Sequence, residues 1–369
     1  MKRLYIVLFS ALSCASLQAQ KFNLLIGTYT NKCDSNGIYV YEFDAASGAF
    51  TLKNSSENVL SPSYLSVSAD NKFVYAVNEN GTQSTVSAFK YDSPTGKLSF
   101  LNKNDALGAD PCHVINDAKN VIVSNYSGGN LVVFKKNADG SISKVQQLIQ
   151  HEGKGVNAAR QEKAHVHMAA FSPDKKFVLV NDLGLDKIFI YKYNPNSKNE
   201  MLTLKESVDV KPGSGPRHLT FSKDGKFVYL VQELDASLTT FSYDKYGTLK
   251  VIAETSILPK DFKGSTGAAA IKISPDGNFL YATDRGDVNS ISVFKIGKNG
   301  SIQLVEQVST LGKGPRDFAI DPTGNYLLVG HQYTNDIIIF KRDKTTGKLT
   351  DTSKKIELCS PVGLVFTKI

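Results

Sequence analysis

Gly215-Pro216-Arg217-His218-Leu219 and Gly314-Pro315-Arg316-Asp317-Phe318 are two statements of one phrase. It recurs as Ser61-Pro62-Ser63-Tyr64-Leu65, Asp110-Pro111-Cys112-His113-Val114 and Ser360-Pro361-Val362-Gly363-Leu364. Pro62 to Pro111 is 49 residues, Pro216 to Pro315 is 99, or two periods, and Pro315 to Pro361 is 46. Units without the proline begin near Val166-His167-Met168 and Ser265-Thr266-Gly267. A period of 46–50 residues therefore runs through the chain, stretched once by an insertion.

Each unit reads as strands. Turns such as Ser172-Pro173-Asp174, Lys223-Asp224-Gly225 and Pro275-Asp276-Gly277 lead into apolar runs, among them Phe73-Val74-Tyr75-Ala76-Val77 and Phe279-Leu280-Tyr281-Ala282. A third strand follows, as in Ile188-Phe189-Ile190-Tyr191, and then a Thr-Gly or Asp-Gly turn and a polar fourth strand. Four strands per fifty-residue unit with no helical periodicity predict an all-β propeller of four-stranded antiparallel blades. Six complete units start near residues 61, 110, 165, 215, 265 and 314. The chain opens with strands at 24–30 and 37–43 but lacks an inner strand for them, which Pro361 to Thr367 supplies. The C-terminal strand joining the N-terminal blade makes seven blades and closes the ring, removing exposed edges.

Composition agrees with one large domain. The chain has 369 residues, 41% hydrophobic and 21% charged, enough to bury a sizeable core. Residues 1–20 read as a secretory signal: Lys2 and Arg3, the apolar run Leu4 to Leu12, then small residues and a cleavage region at Leu17-Gln18-Ala19-Gln20. The expected mature domain is 21–369, exported and periplasmic, with lipid anchoring through Cys14 as the alternative. No later stretch is long and apolar enough for a membrane span. Without residues 1–20 the net charge of +8 becomes +6, from 41 basic and 35 acidic residues. The lysines are scattered, which argues against nucleic-acid binding and leaves a mildly basic rim for an anionic small molecule. Cys33, Cys112 and Cys359 remain in that domain, an odd number without CxxC spacing, so neither a disulfide framework nor a zinc site is expected; one pair stays open.

The repeat also locates a site. In an antiparallel blade the start of the inner strand and the end of the second strand lie side by side on one rim of the channel. Inner-strand starts carry Cys112, His113, His165, His167, Arg217, His218, Arg316 and Asp317. Second-strand ends carry Asn78, Glu79, Asn125, Asp182, Gln232, Glu233, Asp284, Arg285, His331 and Gln332. Arg217, Arg285 and Arg316 facing one cavity would repel unless an anion or the acidic residues compensate them. The insertion from His151 to Ala164 stretches one repeat beside the histidines and reads either as a lid or as a plain surface loop. His165-x-His167 with Asp182 offers an alternative metal site, although none is expected.

The sequence resembles the seven-bladed-propeller lactonases, the 6-phosphogluconolactonase family that includes carboxymuconate-lactonizing enzymes. The resemblance covers the mature chain and rests on Ile26-Gly27-Thr28-Tyr29-Thr30, Tyr126-Ser127-Gly128-Gly129-Asn130, His165-Val166-His167, Asp182-Leu183-Gly184-Leu185-Asp186, Gly215-Pro216-Arg217-His218, Glu233-Leu234 and Gly314-Pro315-Arg316. It implies a catalytic cluster of His167, Arg217, Glu233 and Arg285, with His165 as the competing base two residues away. His113, His165, Asp182, His218, Arg316 and Gln332 are the expected substrate contacts. The implied chemistry is hydrolysis of a sugar lactone such as 6-phosphogluconolactone by a cofactor-free monomer: a neutral His167 takes a proton from water, and arginines bind the anion and the developing oxyanion. Cys112 ranks below this as a thiol nucleophile. Muconate cycloisomerisation and a non-catalytic carbohydrate- or protein-binding propeller are the alternatives. Replacing His167 or Arg217 by Ala is expected to abolish turnover with little change in thermal stability.

Overall fold

Ser172 closes the first hairpin of its repeat: its hydroxyl donates to Asp174 and accepts the amide of Phe177. Ser68, Ser222 and Ser274 do the same with Asp70, Asp224 and Asp276, so these short polar residues set the register of the two strands that follow them. The computed structural model describes residues 20–369, which form seven four-stranded antiparallel sheets. The predicted signal segment and Cys14 lie outside the described residues, save Gln20. Inner strands run Pro62–Val67, Pro111–Asn116, Val166–Phe171, Pro216–Phe221, Ala268–Ile273 and Pro315–Ile320. The seventh, Pro361–Lys368, pairs antiparallel with Lys21–Thr28, so the ring closes between the two ends of the chain as the repeat predicts.

Burial follows position in the blade. The second strands Asn120–Asn125, Phe177–Asp182, Phe279–Asp284 and Tyr326–His331 are buried at every residue, because neighbouring blades cover both faces; hence their unbroken apolar runs. The outer strand Leu249–Ser256 is exposed at all but its first residue and mixes Lys250, Glu254, Thr255 and Ser256 with the exposed Val251 and Ile252. Seven apolar clusters result, one at each interface between neighbouring blades. In one, Ile122, Leu131 and Val133 pack on Val178, Val180 and Tyr191 of the next blade. At roughly 1.5–3 kcal/mol per fully buried aliphatic side chain, these interfaces dominate the stability.

The pairing that the sequence left open is made: Cys33 and Cys359 form a disulfide across 326 residues, with Cα atoms 5.9 Å apart. It fastens the loop after Lys21–Thr28 to the segment entering Pro361–Lys368, so the split blade is held by hydrogen bonds and by a covalent clasp.

Two backbone devices shape the upper rim. Inner strands carry an extra residue at their start: Pro62, Pro111, Val166, Pro216 and Pro315 pair with the last residue of the second strand, but the next paired residue is two positions on. The unpaired residue of each bulge is Ser63, Cys112, His167, Arg217 or Arg316. In all seven blades, moreover, the residue after the second strand donates its amide to the carbonyl just before the inner strand. Those donors are Tyr29, Glu79, Tyr126, Leu183, Glu233, Arg285 and Gln332, at 2.8–3.1 Å. The accepting residue has positive φ at Ser61, Asp110, Gly215, Gly314 and Ser360, which explains the Gly or small polar residue ahead of the repeated proline.

Candidate active site

Three of the bulge residues and four of the residues after the second strands meet in one cavity of about 180 Å³, lined by Glu79, Cys112, Tyr126, Arg160, His167, Glu233, Arg285 and Arg316. Cys112, His167 and Arg316 come from the bulges. Glu79, Tyr126, Glu233 and Arg285 each follow a second strand. Arg160 alone comes from the insertion. A roomier groove of about 590 Å³ lies beside Asn78 and Phe100, but only Glu57 and Lys103 are charged there.

Glu233 is the hub. Its Oε2 accepts from Arg217 Nε at 2.8 Å and lies 3.1 Å from Arg285 Nη2; its Oε1 accepts from Arg160 at 2.6 Å. Burial alone would raise this carboxyl, yet Arg285 and Arg217 hold it well below the usual carboxylate range. Arg217, 1% exposed, also donates to the Ala269 carbonyl at 2.6 Å, which leaves it beneath the cavity as the support of Glu233. Burial and the neighbouring Arg285 bring its guanidinium down to about 9, still protonated at neutral pH.

His167 Nε2 stands 3.8 Å from Glu233 Oε2, and Nδ1 is 3.7 Å from Cys112 Sγ. Burial, then the Arg217 charge, keeps the imidazole neutral far below its ordinary pKa. It therefore offers a lone pair at neutral pH. Burial pushes the Cys112 thiol up, and Cys112 points its hydrogen at the His167 carbonyl 3.2 Å away, which removes it as a thiolate nucleophile. Across the cavity Tyr29 donates to Glu79 at 2.9 Å, and the Arg316 guanidinium lies 5.5 Å over the Tyr29 ring. Among the described residues Arg316 makes no side-chain hydrogen bond. Counting Arg217 below the floor, four guanidiniums face two carboxylates, so the site carries a surplus of about two positive charges with neutral His167.

Several expected contacts are placed elsewhere. His113 packs on Tyr64, and His218 meets Tyr64, His113 and His167 edge-to-face, under the cavity, the His113 and His218 imidazoles 5.6 Å apart and His218 5.3 Å from His167. They form the floor, because each follows a bulge residue and so points to the other side. The bulge also parts His165 from His167: His165 precedes the strand, stacks on Tyr126 and hydrogen-bonds Glu162. Asp182 is consumed by the amides of His165, Gly184 and Leu185 and by His151 Nδ1 at 2.7 Å, which dissolves the alternative metal site. Among the described residues no cluster of three or more His, Cys, Asp or Glu is arranged to hold a metal ion. Gln332 is tied by its backbone to Gly314 and Ser360 and does not line the cavity.

Sequence reasoning passed over Arg160 and Tyr126 as site residues. Tyr126 occupies the same repeat position as Glu79, Glu233 and Arg285, a signal within reach. Arg160 carries none, since the insertion has no counterpart in other blades. Its base is pegged by His151, which bridges Asp182 and Tyr191, and by Gln161, which donates to the Leu183 carbonyl. The insertion is thus a pinned strap with one side chain in the site.

The family description "Lactonase, 7-bladed beta-propeller" matches residues 23–366. The chain belongs to the seven-bladed lactonase family. Two relatives named 6-phosphogluconolactonase resemble this lactonase-family chain. The one from Formosa agariphila is 37% identical over 333 residues, covering 88% of this chain and 94% of the relative. The one from Bacillus subtilis is 36% identical over 345 residues, covering 92% and 97%. The solved Pseudomonas aeruginosa periplasmic gluconolactonase superposes with a TM-score of 0.89 at 34% identity, covering 94% of this chain and 99% of that one.

Proposed function

We propose that the protein hydrolyses a six-carbon sugar lactone bearing an anionic group, 6-phosphogluconolactone being the best fit, as an exported, periplasmic monomer that needs no cofactor. The observation that carries this reading is the neutral His167 beside the arginine-held Glu233, in a small cavity with a surplus of positive charge. Two relatives named for the phosphorylated substrate support it. The periplasmic gluconolactonase supports the export.

In the proposed reaction His167 Nε2 takes a proton from water as the oxygen attacks the ring carbonyl. Arg285, whose Nη1 is uncommitted, faces the oxyanion, and Glu233 stabilises the imidazolium that forms. The ring C–O bond then breaks, and His167 returns the proton to the leaving alkoxide. The product is a hydroxy acid, which ionises in water. Arg316, whose guanidinium makes no side-chain hydrogen bond among the described residues, adds to the positive field that draws an anionic substrate to the cavity.

The test is hydrolysis of freshly prepared 6-phosphogluconolactone and gluconolactone, with spontaneous opening subtracted, by wild type and His167→Ala. Loss of about 10²–10⁴-fold in kcat with the variant supports the general base. Full activity of the variant refutes it.

A further inference from the structure

Arg160 differs from the other guanidiniums of the site in how it is held. Arg217 and Arg285 stand on blade strands or their ends, and their side chains are 2% and 13% exposed; Arg160 stands on the strap and is 44% exposed. The strap backbone is fixed: Gln161 donates its amide to the Asn157 carbonyl at 2.7 Å, and Asn157 returns its own amide to the Gln161 side chain at 3.0 Å. Of the strap, Arg160 alone lines the cavity. It reaches Tyr126 Oη at 3.2 Å and Glu233 Oε1 at 2.6 Å.

Glu233 does not need this third partner, because Arg217 and Arg285 already hold Oε2. An ion pair with one member half in water is cheap to exchange for another anion. The cavity below, about 180 Å³, has room for roughly six water molecules, enough for a lactone ring. Arg160, half exposed at the cavity's edge, stands where an arm remote from the ring carbonyl can extend toward solvent.

We propose that Arg160 is a specificity-determining clamp, which exchanges Glu233 Oε1 for the phosphoryl oxygens of a sugar lactone phosphorylated on its exocyclic arm. The inference rests on the lactonase reading above. The exchange fastens the substrate and, in the same movement, frees Oε1 of the carboxylate whose Oε2 faces His167. Phosphorylation of the substrate thus acts on kcat as well as on KM.

The experiment compares wild type, Arg160→Ala and Arg160→Lys on 6-phosphogluconolactone and on gluconolactone, with kcat and KM separated for each. In Arg160→Ala the ratio of the two kcat/KM values is expected to fall about 10- to 100-fold, the equivalent of losing one charge-assisted hydrogen-bonded contact. Arg160→Lys recovers part of the ratio, because it keeps the charge but not the planar fork. Inhibition by inorganic phosphate weakens in Arg160→Ala. Equal loss on both substrates overturns the clamp and makes Arg160 a positioning residue for Glu233; an unchanged ratio overturns it too. Wild type inert on both lactones removes the lactonase reading and the clamp together, whereas an active wild type isolates the question to Arg160.

Discussion

Lowering the pH from 7 to 5 protonates, in the unfolded chain, three histidines that the fold keeps neutral. His113, His167 and His218 are 2%, 4% and 7% exposed; His167 lines the cavity, and the other two pack beneath it. Burial, then the Arg217 charge, lowers all three, His113 to about 3 and the other two well below the ordinary imidazole value. A histidine whose folded pKa is depressed contributes its full stability above the unfolded value of about 6.5, and loses it as pH falls toward the folded value. At pH 5 the unfolded state gains about 2 kcal/mol per histidine, or about 6 kcal/mol for the three. Domains are typically stable by about 5–15 kcal/mol, so this is a large share. Urea unfolding at half-unit steps from pH 8 to 5 measures it: the slope approaches three protons, about 4 kcal/mol per pH unit, near pH 5. His218→Asn should reduce the slope to two protons whatever it does to absolute stability. A wild-type slope below one proton, or an unchanged slope in the variant, refutes the account of three neutral imidazoles packed edge-to-face.

Arg217→Ala is expected to abolish turnover and also to destabilise the protein, contrary to the reading from sequence alone. It strips a buried guanidinium from Glu233 and from the Ala269 carbonyl, a loss of about 3–5 kcal/mol. Calorimetry should show Tm lower by about 4–7 °C for a chain of this size; an unchanged Tm contradicts the support role. Replacing Cys33 and Cys359 together by serine removes the clasp of the split blade, at about 2–5 kcal/mol and a Tm drop of about 3–7 °C. Lactone hydrolysis at 25 °C should persist, because strand pairing between 21–28 and 361–368 still closes the ring.

Much of the site was legible because the repeat is. A residue's place within a fifty-residue unit fixes its place on the rim, so His167, Glu233, Arg285 and Arg316 could be picked out by their offset from the repeated proline. The same offset would have admitted Tyr126 and ranked Glu79 higher. It misjudged His113, His218 and His165 for one reason: the one-residue bulge at the start of the inner strand inverts which neighbour faces the cavity. No proline or glycine spacing announces that inversion. Asp182 has the right repeat position yet serves the backbone, since His151 reaches it from a segment outside the repeat.

The amino-acid sequence determined the number of blades, the strand order within each and the closure between the two ends, because these follow from local periodicity and from apolar runs that only a doubly covered strand can bury. Tertiary structure alone decided which rim residues share the cavity and which lie beneath it, that Arg217 supports Glu233 from below, and that Cys33 meets Cys359. It also decided that Arg160 enters the site at all. Those outcomes depend on bulge geometry, on the insertion's path and on contacts between residues up to 326 positions apart, none of which leaves a periodic trace in the chain.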